Sequence, residues 1–131
     1  MTTNLMKNEP ETNKTNELTN LLKSHLNSFI EKDLQKLISD YTNESVFITQ
    51  DKIYTGVNEI KDFFTNLMVY FPEHQSTIEL DKMVVTDEIG FIVWHANTPT
   101  VTVPFATDTF VFKNGKIFQQ TFAGQLNFIK D

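Results

Sequence analysis

Apolar residues recur at three- and four-residue intervals early in the chain and tend to alternate with polar ones over its second half. The first spacing is that of one helix face, the second that of one strand face. Leu18, Leu21, Leu22, Leu26, Phe29 and Ile30 predict a helix from about Glu17 to Lys32, with Asn16 as its N-cap and His25 inside its apolar stripe. Asp33 can cap a second, short helix whose inner face is Leu34, Leu37, Ile38 and Tyr41. Ser45–Thr49 and Ile53-Tyr54 read as short strands about a turn at Asp51-Lys52. After Gly56 a third helix is expected over Val57–Tyr70, stopped by Pro72. The remainder reads as four strands: Ser76–Thr86, Gly90–Asn97, Thr100–Phe112 and Lys116–Phe128. Lys113-Asn-Gly115 is a hairpin signal between the last two, and Pro104 calls for a bulge or an edge position in the third. Helices first and hairpin-linked strands later imply an α+β domain with a mostly antiparallel sheet. Residues 1 to about 15 are polar and are expected to be a disordered tail, leaving 16–131 as one domain.

Alternation along Ala106–Phe112 puts Asp108 on the same side as Phe110 and Phe112. If that side faces the interior, the carboxylate goes in with the rings. Desolvation then raises its pKa and makes the neutral acid accessible near neutral pH. The alternative is a structural carboxylate bonded to backbone or to neighbouring threonines. On the last strand Phe118, Gln120 and Phe122 are expected to turn inward beside it, with Gln120 bonding to Asp108 or orienting a ligand. His25 reads either as a donor into the same space or as a core histidine with its polar edge satisfied. Phe29 on the first helix completes the expected aromatic wall. Around Trp94 both strand faces look apolar, so periodicity does not say which side Trp94 and His95 take. Helices cover only one face of a curved sheet. The other, with Thr107, Thr109 and Val111, needs a second subunit or the chain's own edge segments.

Composition narrows the chemistry. The chain of 131 residues has no cysteine, which excludes disulfides, thiolate metal sites and cysteine nucleophiles. No two of its three histidines have ligand spacing, so neither a metal nor a cofactor is expected. All its basic residues are lysine and the net charge is −6, which disfavours nucleic acid as a partner and rules out bidentate arginine grips. No apolar run has the length of a membrane span and the N-terminus lacks a signal-peptide stretch, so the expectation is a soluble, cytoplasmic protein.

Three places carry a family resemblance. They are Lys32-Asp-Leu34 followed by a short helix ending near Tyr41–Val46; Tyr54-Thr-Gly56 followed by Asn58–Phe64; and Asp108–Ile117 followed by Thr121-Phe-Ala-Gly124. In this order they resemble the NTF2-like superfamily, the cystatin-like α+β cone, over roughly Leu18 to Ile129, and more narrowly its SnoaL-like and ketosteroid-isomerase-like branch. The resemblance implies helices on a strongly curved sheet enclosing a conical pocket, with Asp108 where enzymes of the family place a pocket acid. It implies Asp108 as acid/base or oxyanion donor, His25 at the position of the isomerase's helix tyrosine, and Gln120, Phe110, Phe112, Phe122 and Phe29 around a small-molecule ligand. At the isomerase's base position this chain has Thr49, which cannot act as a carboxylate base. The expected function is binding of a small apolar or aromatic carbonyl compound by a homodimer, with acid/base chemistry of isomerase or cyclase type. The alternative is a non-catalytic ligand-binding or dimerisation module.

Overall fold

A computed structural model describes residues 13–129. Helix α1 spans Asn13–Ile30 and buries Leu18, Leu22, His25 and Ser28. It starts before Glu17, so Asn16 lies inside the helix and not at its cap. The Thr15 hydroxyl donates to Asp87 across the fold, a tertiary contact that no local pattern announces. The expected disordered tail therefore falls outside the described residues except for Asn13–Thr15, which are helical. Lys32, at a left-handed φ of 58°, ends the first helical segment. Asp33 then caps α2, Leu34–Ile38, by accepting from the Lys36 amide at 3.1 Å.

Strands β1 (Val46–Ile48) and β2 (Ile53–Thr55) form a short hairpin leading directly into α3, Gly56–Met68. Gly56 sits at φ 84° and donates to the Ser45 carbonyl at 2.8 Å, while the Glu59 carboxylate accepts from the Thr55 amide at 2.9 Å. The long strands are β3 (Thr77–Val85), β4 (Ile89–Asn97), β5 (Val101–Lys113) and β6 (Lys116–Phe128). The sheet order is β2-β1-β6-β5-β4-β3, antiparallel throughout except for β1 beside β6. Asn114 and Gly115, with φ of 53° and 73°, make the tight turn that the Asn-Gly pair favours.

Curvature comes from bulges. The register shifts between Leu80 and Lys82 on β3, and again between Trp94 and Ala96 and between Thr102 and Phe105, where both shifts put the extra residue on β5. Each leaves an unpaired residue and bends its strand. Pro104 falls within the third, as its missing donor requires. The helices cover the concave face, where Leu22, Leu37, Phe47, Ile60, Phe110 and Ile117 are fully buried. A second cluster of Phe71, Ala96, Val101, Val103 and Ala106 fills the other end.

A fourth shift corrects the expected face of β6. Phe110 pairs with Gln120 and Val111 with Gln119, but Phe112 pairs with Ile117. The extra residue, Phe118, is displaced and the alternation changes phase. Ile117 is buried, whereas the half-buried Phe118 ring lies under the Lys113 ammonium, 4.7 Å from its centroid. Phe118 therefore does not join Gln120 and Phe122 on the inner face.

Candidate functional site

The concave face and the helices enclose a cavity of about 170 Å³. Helix α1 contributes His25, Leu26 and Phe29; α3 contributes Phe63, Phe64 and Leu67; the sheet contributes Ile92, Trp94, Asp108, Phe110, Gln120 and Phe122. The wall is almost entirely hydrocarbon and aromatic. Asp108 is its one carboxylate among the described residues.

Register explains how Asp108 arrives there. It pairs with Ile92 on one side and Phe122 on the other, so it shares their concave face. It is 7% exposed. The Trp94 indole donates to Oδ1 at 2.8 Å and the Gln120 amide nitrogen donates to Oδ2 at 2.8 Å. Burial pushes the Asp108 carboxyl up to about 6, opposed by those two hydrogen bonds and by the charge of His25. An acid with that pKa is mostly ionised at pH 7 yet readily protonated, which suits proton exchange near neutrality.

The polar contacts continue behind Gln120. The Tyr41 hydroxyl donates to Gln120 Oε1, and it also meets His25 Nε2 at 3.1 Å. His25 Nδ1 lies 2.8 Å from Asp40 Oδ2. Five side chains from α1, the segment after α2, β5 and β6 thus link half-buried Asp40 to the cavity. Tyr41 is buried beside two carboxylates. Desolvation first, then the charges of Asp108 and Asp40, hold its proton well above the ordinary tyrosine value. It therefore remains a neutral phenol and a donor.

Most of the residues singled out from the sequence meet here. Asp108, Gln120, Phe110, Phe122, Phe29 and His25 all line the cavity. His25 does not touch Asp108, being separated from it by Tyr41 and Gln120, and its ring meets Phe110 edge-on at 5.8 Å. Phe112 is a correction. It stacks behind Phe110 at 6.2 Å and does not line the cavity, because it lies one ring further along β5, over Gly90 beside Leu22. Thr49 is not a wall residue either. Its hydroxyl accepts from the Asp51 and Lys52 amides and donates to the Lys52 carbonyl, closing the β1–β2 turn, with Asp51 exposed beyond it.

Sequence reasoning missed Trp94 and Tyr41. Trp94 lies on the cavity side, tilted against Phe122 at 6.1 Å, while His95 faces out and bonds Asp81 at 2.7 Å. Both rings carry a polar handle that must find a partner when buried. That requirement is the signal the sequence offers, and helical spacing alone accounts only for the ring of Tyr41.

An α+β cone whose polar-floored cavity opens between helices and sheet defines the class of protein. No family model matches the sequence, and no curated protein does either. Solved structures match closely in shape. An NTF2-like protein of unknown function from Mesorhizobium loti shares 12% identity and a TM-score of 0.73, covering 89% of this chain and 97% of that one. A candidate ketosteroid isomerase from Kribbella flavida shares 7% identity and a TM-score of 0.72, covering 90% and 84%. A candidate SnoaL-like polyketide cyclase from Shewanella denitrificans shares 17% and 0.66, covering 82% and 89%. The chain has the NTF2-like fold. At these identities the likeness is one of fold, and fold does not fix function.

Proposed function

We propose that the cavity binds a one-ring, largely apolar carbonyl compound and that Asp108 exchanges a proton with it, as in isomerase or cyclase chemistry. The observation carrying this reading is a lone carboxylate with a pKa of about 6 on the wall of an apolar cavity. Size sets the substrate class. A cavity of about 150 Å³ accepts benzene, so about 170 Å³ suits a single ring and not a fused ring system. At neutral pH Asp108 acts as a base; the oxyanion-donor role needs the neutral acid and so a pH below about 6. Gln120 and Trp94 orient the carboxylate, and His25 acts on it from a distance.

3-Cyclohexen-1-one is a suitable probe. Asp108 takes a proton from the carbon between carbonyl and alkene and returns it at the far alkene carbon, giving the conjugated ketone. Proton NMR at pH 7 should show the conversion with the protein and only the buffer rate with Asp108→Asn. Equal rates for the two proteins would remove Asp108 from the chemistry.

Two observations favour the non-catalytic alternative: both Asp108 oxygens already accept hydrogen bonds, and the wall offers no second carboxylate among the described residues. Under that reading the ketone shifts the Trp94 indole resonance and is released unchanged. A resonance that does not move would exclude both readings for this compound.

The reading includes a homodimer. On the convex face Phe91, Val93, Thr107, Thr109 and Val111 are half-buried, next to exposed Val84 and Ile89. Contiguous apolar surface of this kind supports a partner subunit. Sedimentation at micromolar concentration should give twice the chain mass, and a monomer would count against it.

A further inference from the structure

The contacts from Asp40 to Asp108 can be counted as hydrogens. There are four contacts: Asp40 with His25, His25 with Tyr41, Tyr41 with Gln120, and Gln120 with Asp108. Each needs one hydrogen and tolerates no second. The Gln120 amide fills one of the four, and titratable groups supply the other three.

In the arrangement described above, the amide nitrogen faces Asp108. The Tyr41 hydrogen then fills the Tyr41–Gln120 contact, so the Nε2 of His25 must carry the hydrogen that meets Tyr41. Asp108 is ionised. If the amide turns over, its nitrogen donates to Tyr41 and its oxygen faces Asp108, which must now be protonated to donate to it. The Tyr41 hydroxyl rotates to fill the contact with His25, so Nε2 must be bare. Both arrangements satisfy all four contacts with the same number of hydrogens. They differ by one proton, lost from His25 Nε2 and gained by Asp108 Oδ2.

We propose that Asp108 and His25 share one proton across Tyr41 and Gln120, with the Gln120 amide as the switch between its two positions. Tyr41, His25 and Asp40 are then positioning residues that set the charge Asp108 presents to the cavity. Burial of His25, Tyr41, Asp108 and Gln120 strengthens the rule, because an unfilled or doubly filled contact has no water to relieve it. The groups facing His25 are Asp40 and Tyr41 from the segment after α2, Phe64 from α3 and Phe110 from β5. The carboxylates in the exchange are thus Asp40, facing His25, and Asp108 at the far end. A ligand that accepts a hydrogen from Asp108 would draw the proton from His25, and one that donates to the carboxylate would send it back. The proposal holds whether or not the cavity turns over a compound, since its test reads hydrogens and not product.

The test is nitrogen-15 NMR of the His25 ring at pH 7.5, which separates a protonated Nε2 from a bare one. Asp108→Asn imitates the protonated acid, because its amide can only donate toward Gln120 once Trp94 has taken its oxygen. The wild-type protein should show a protonated Nε2, and Asp108→Asn a bare one. Loss of the Asp108 charge could act through space, so the same pair is compared in a Tyr41→Phe background, and again with Gln120→Met, which breaks the other link. In either broken background, Asp108→Asn should leave Nε2 unchanged. An Nε2 in the same form in wild type and Asp108→Asn would overturn the proposal. A change that persists in either broken background would overturn it as well.

Discussion

Asp108→Asn keeps the shape of a buried side chain and removes its charge. Asp108 titrates at about 6 in the fold against an ordinary value of 3.8. An acid whose pKa is raised by folding binds protons more tightly in the folded chain. Stability is therefore highest below the unfolded value, falls as pH rises from about 3.8 to about 6, and is level above that. At about 1.4 kcal/mol per pH unit, that interval amounts to about 3 kcal/mol of destabilisation at pH 7.5. Asparagine carries none of it. Its oxygen can accept from Trp94, and its amide can donate to a turned Gln120. The variant should be more stable than the parent by up to about 3 kcal/mol at pH 7.5, or about 10 °C in Tm for a domain of this size. The gain should shrink to under about 1 kcal/mol at pH 4. Urea unfolding at the two pH values reads both figures. A variant less stable than the parent at pH 7.5, or a gain that does not shrink at pH 4, would refute the reasoning and make Asp108 a charged structural anchor.

Other outcomes follow from particular contacts. Trp94→Phe removes a donor that favours the charged form of Asp108, so carbon-13 titration should place the carboxyl above its parent value of about 6; an unchanged or lower value would show that the indole bond does not matter. The bulge on β6 makes Ile117→Ala cost roughly 2–5 kcal/mol and Phe118→Ala under about 1 kcal/mol in urea unfolding, and the reverse order would mean that the strand is in the unshifted phase. A Cβ on Gly124 would lie 2.8 Å from the Ala106 Cβ and 3.1 Å from the Phe105 carbonyl oxygen, so Gly124→Ala should lower stability by about 1–3 kcal/mol, whereas a neutral result would show that β5 and β6 can separate there.

Much of the fold was legible because local signals agreed with the tertiary outcome. The last strand runs Lys116–Phe128 as its alternation predicts, Asp33 caps the short helix, and Asn114-Gly115 turns the hairpin. Pro104 marks a bulge because it lacks a ladder donor. Asp108 faces inward because β5 keeps one phase from Ala106 to Phe110. The other bulges leave no comparable mark. Phe118 displaced by one residue looks the same in the sequence as Phe118 in phase, so its side was misread. Trp94 could not be placed because Phe91 and Val93 are as apolar as Ile92, and alternation has no contrast to read. Tyr41 was legible as buried, but its bond to Gln120 joins residues 79 apart in sequence and depends on the segment after α2 docking on β6, where the Ile117 amide donates to the Asp40 carbonyl. Of the two donors that hold Asp108, the Gln120 amide was legible as its neighbour across the hairpin, whereas the Trp94 indole was not, because alternation left its side open.

Proton exchange in this cavity requires a desolvated acid at its wall, and the side-chain carbon-13 resonance of Asp108 followed from pH 3 to pH 9 tests for it most directly. Burial outweighing two hydrogen bonds gives a midpoint near 6. A midpoint at or below the ordinary 3.8 would mean that Trp94 and Gln120 hold a permanent carboxylate, and the proton exchange proposed for this cavity would have no residue to perform it.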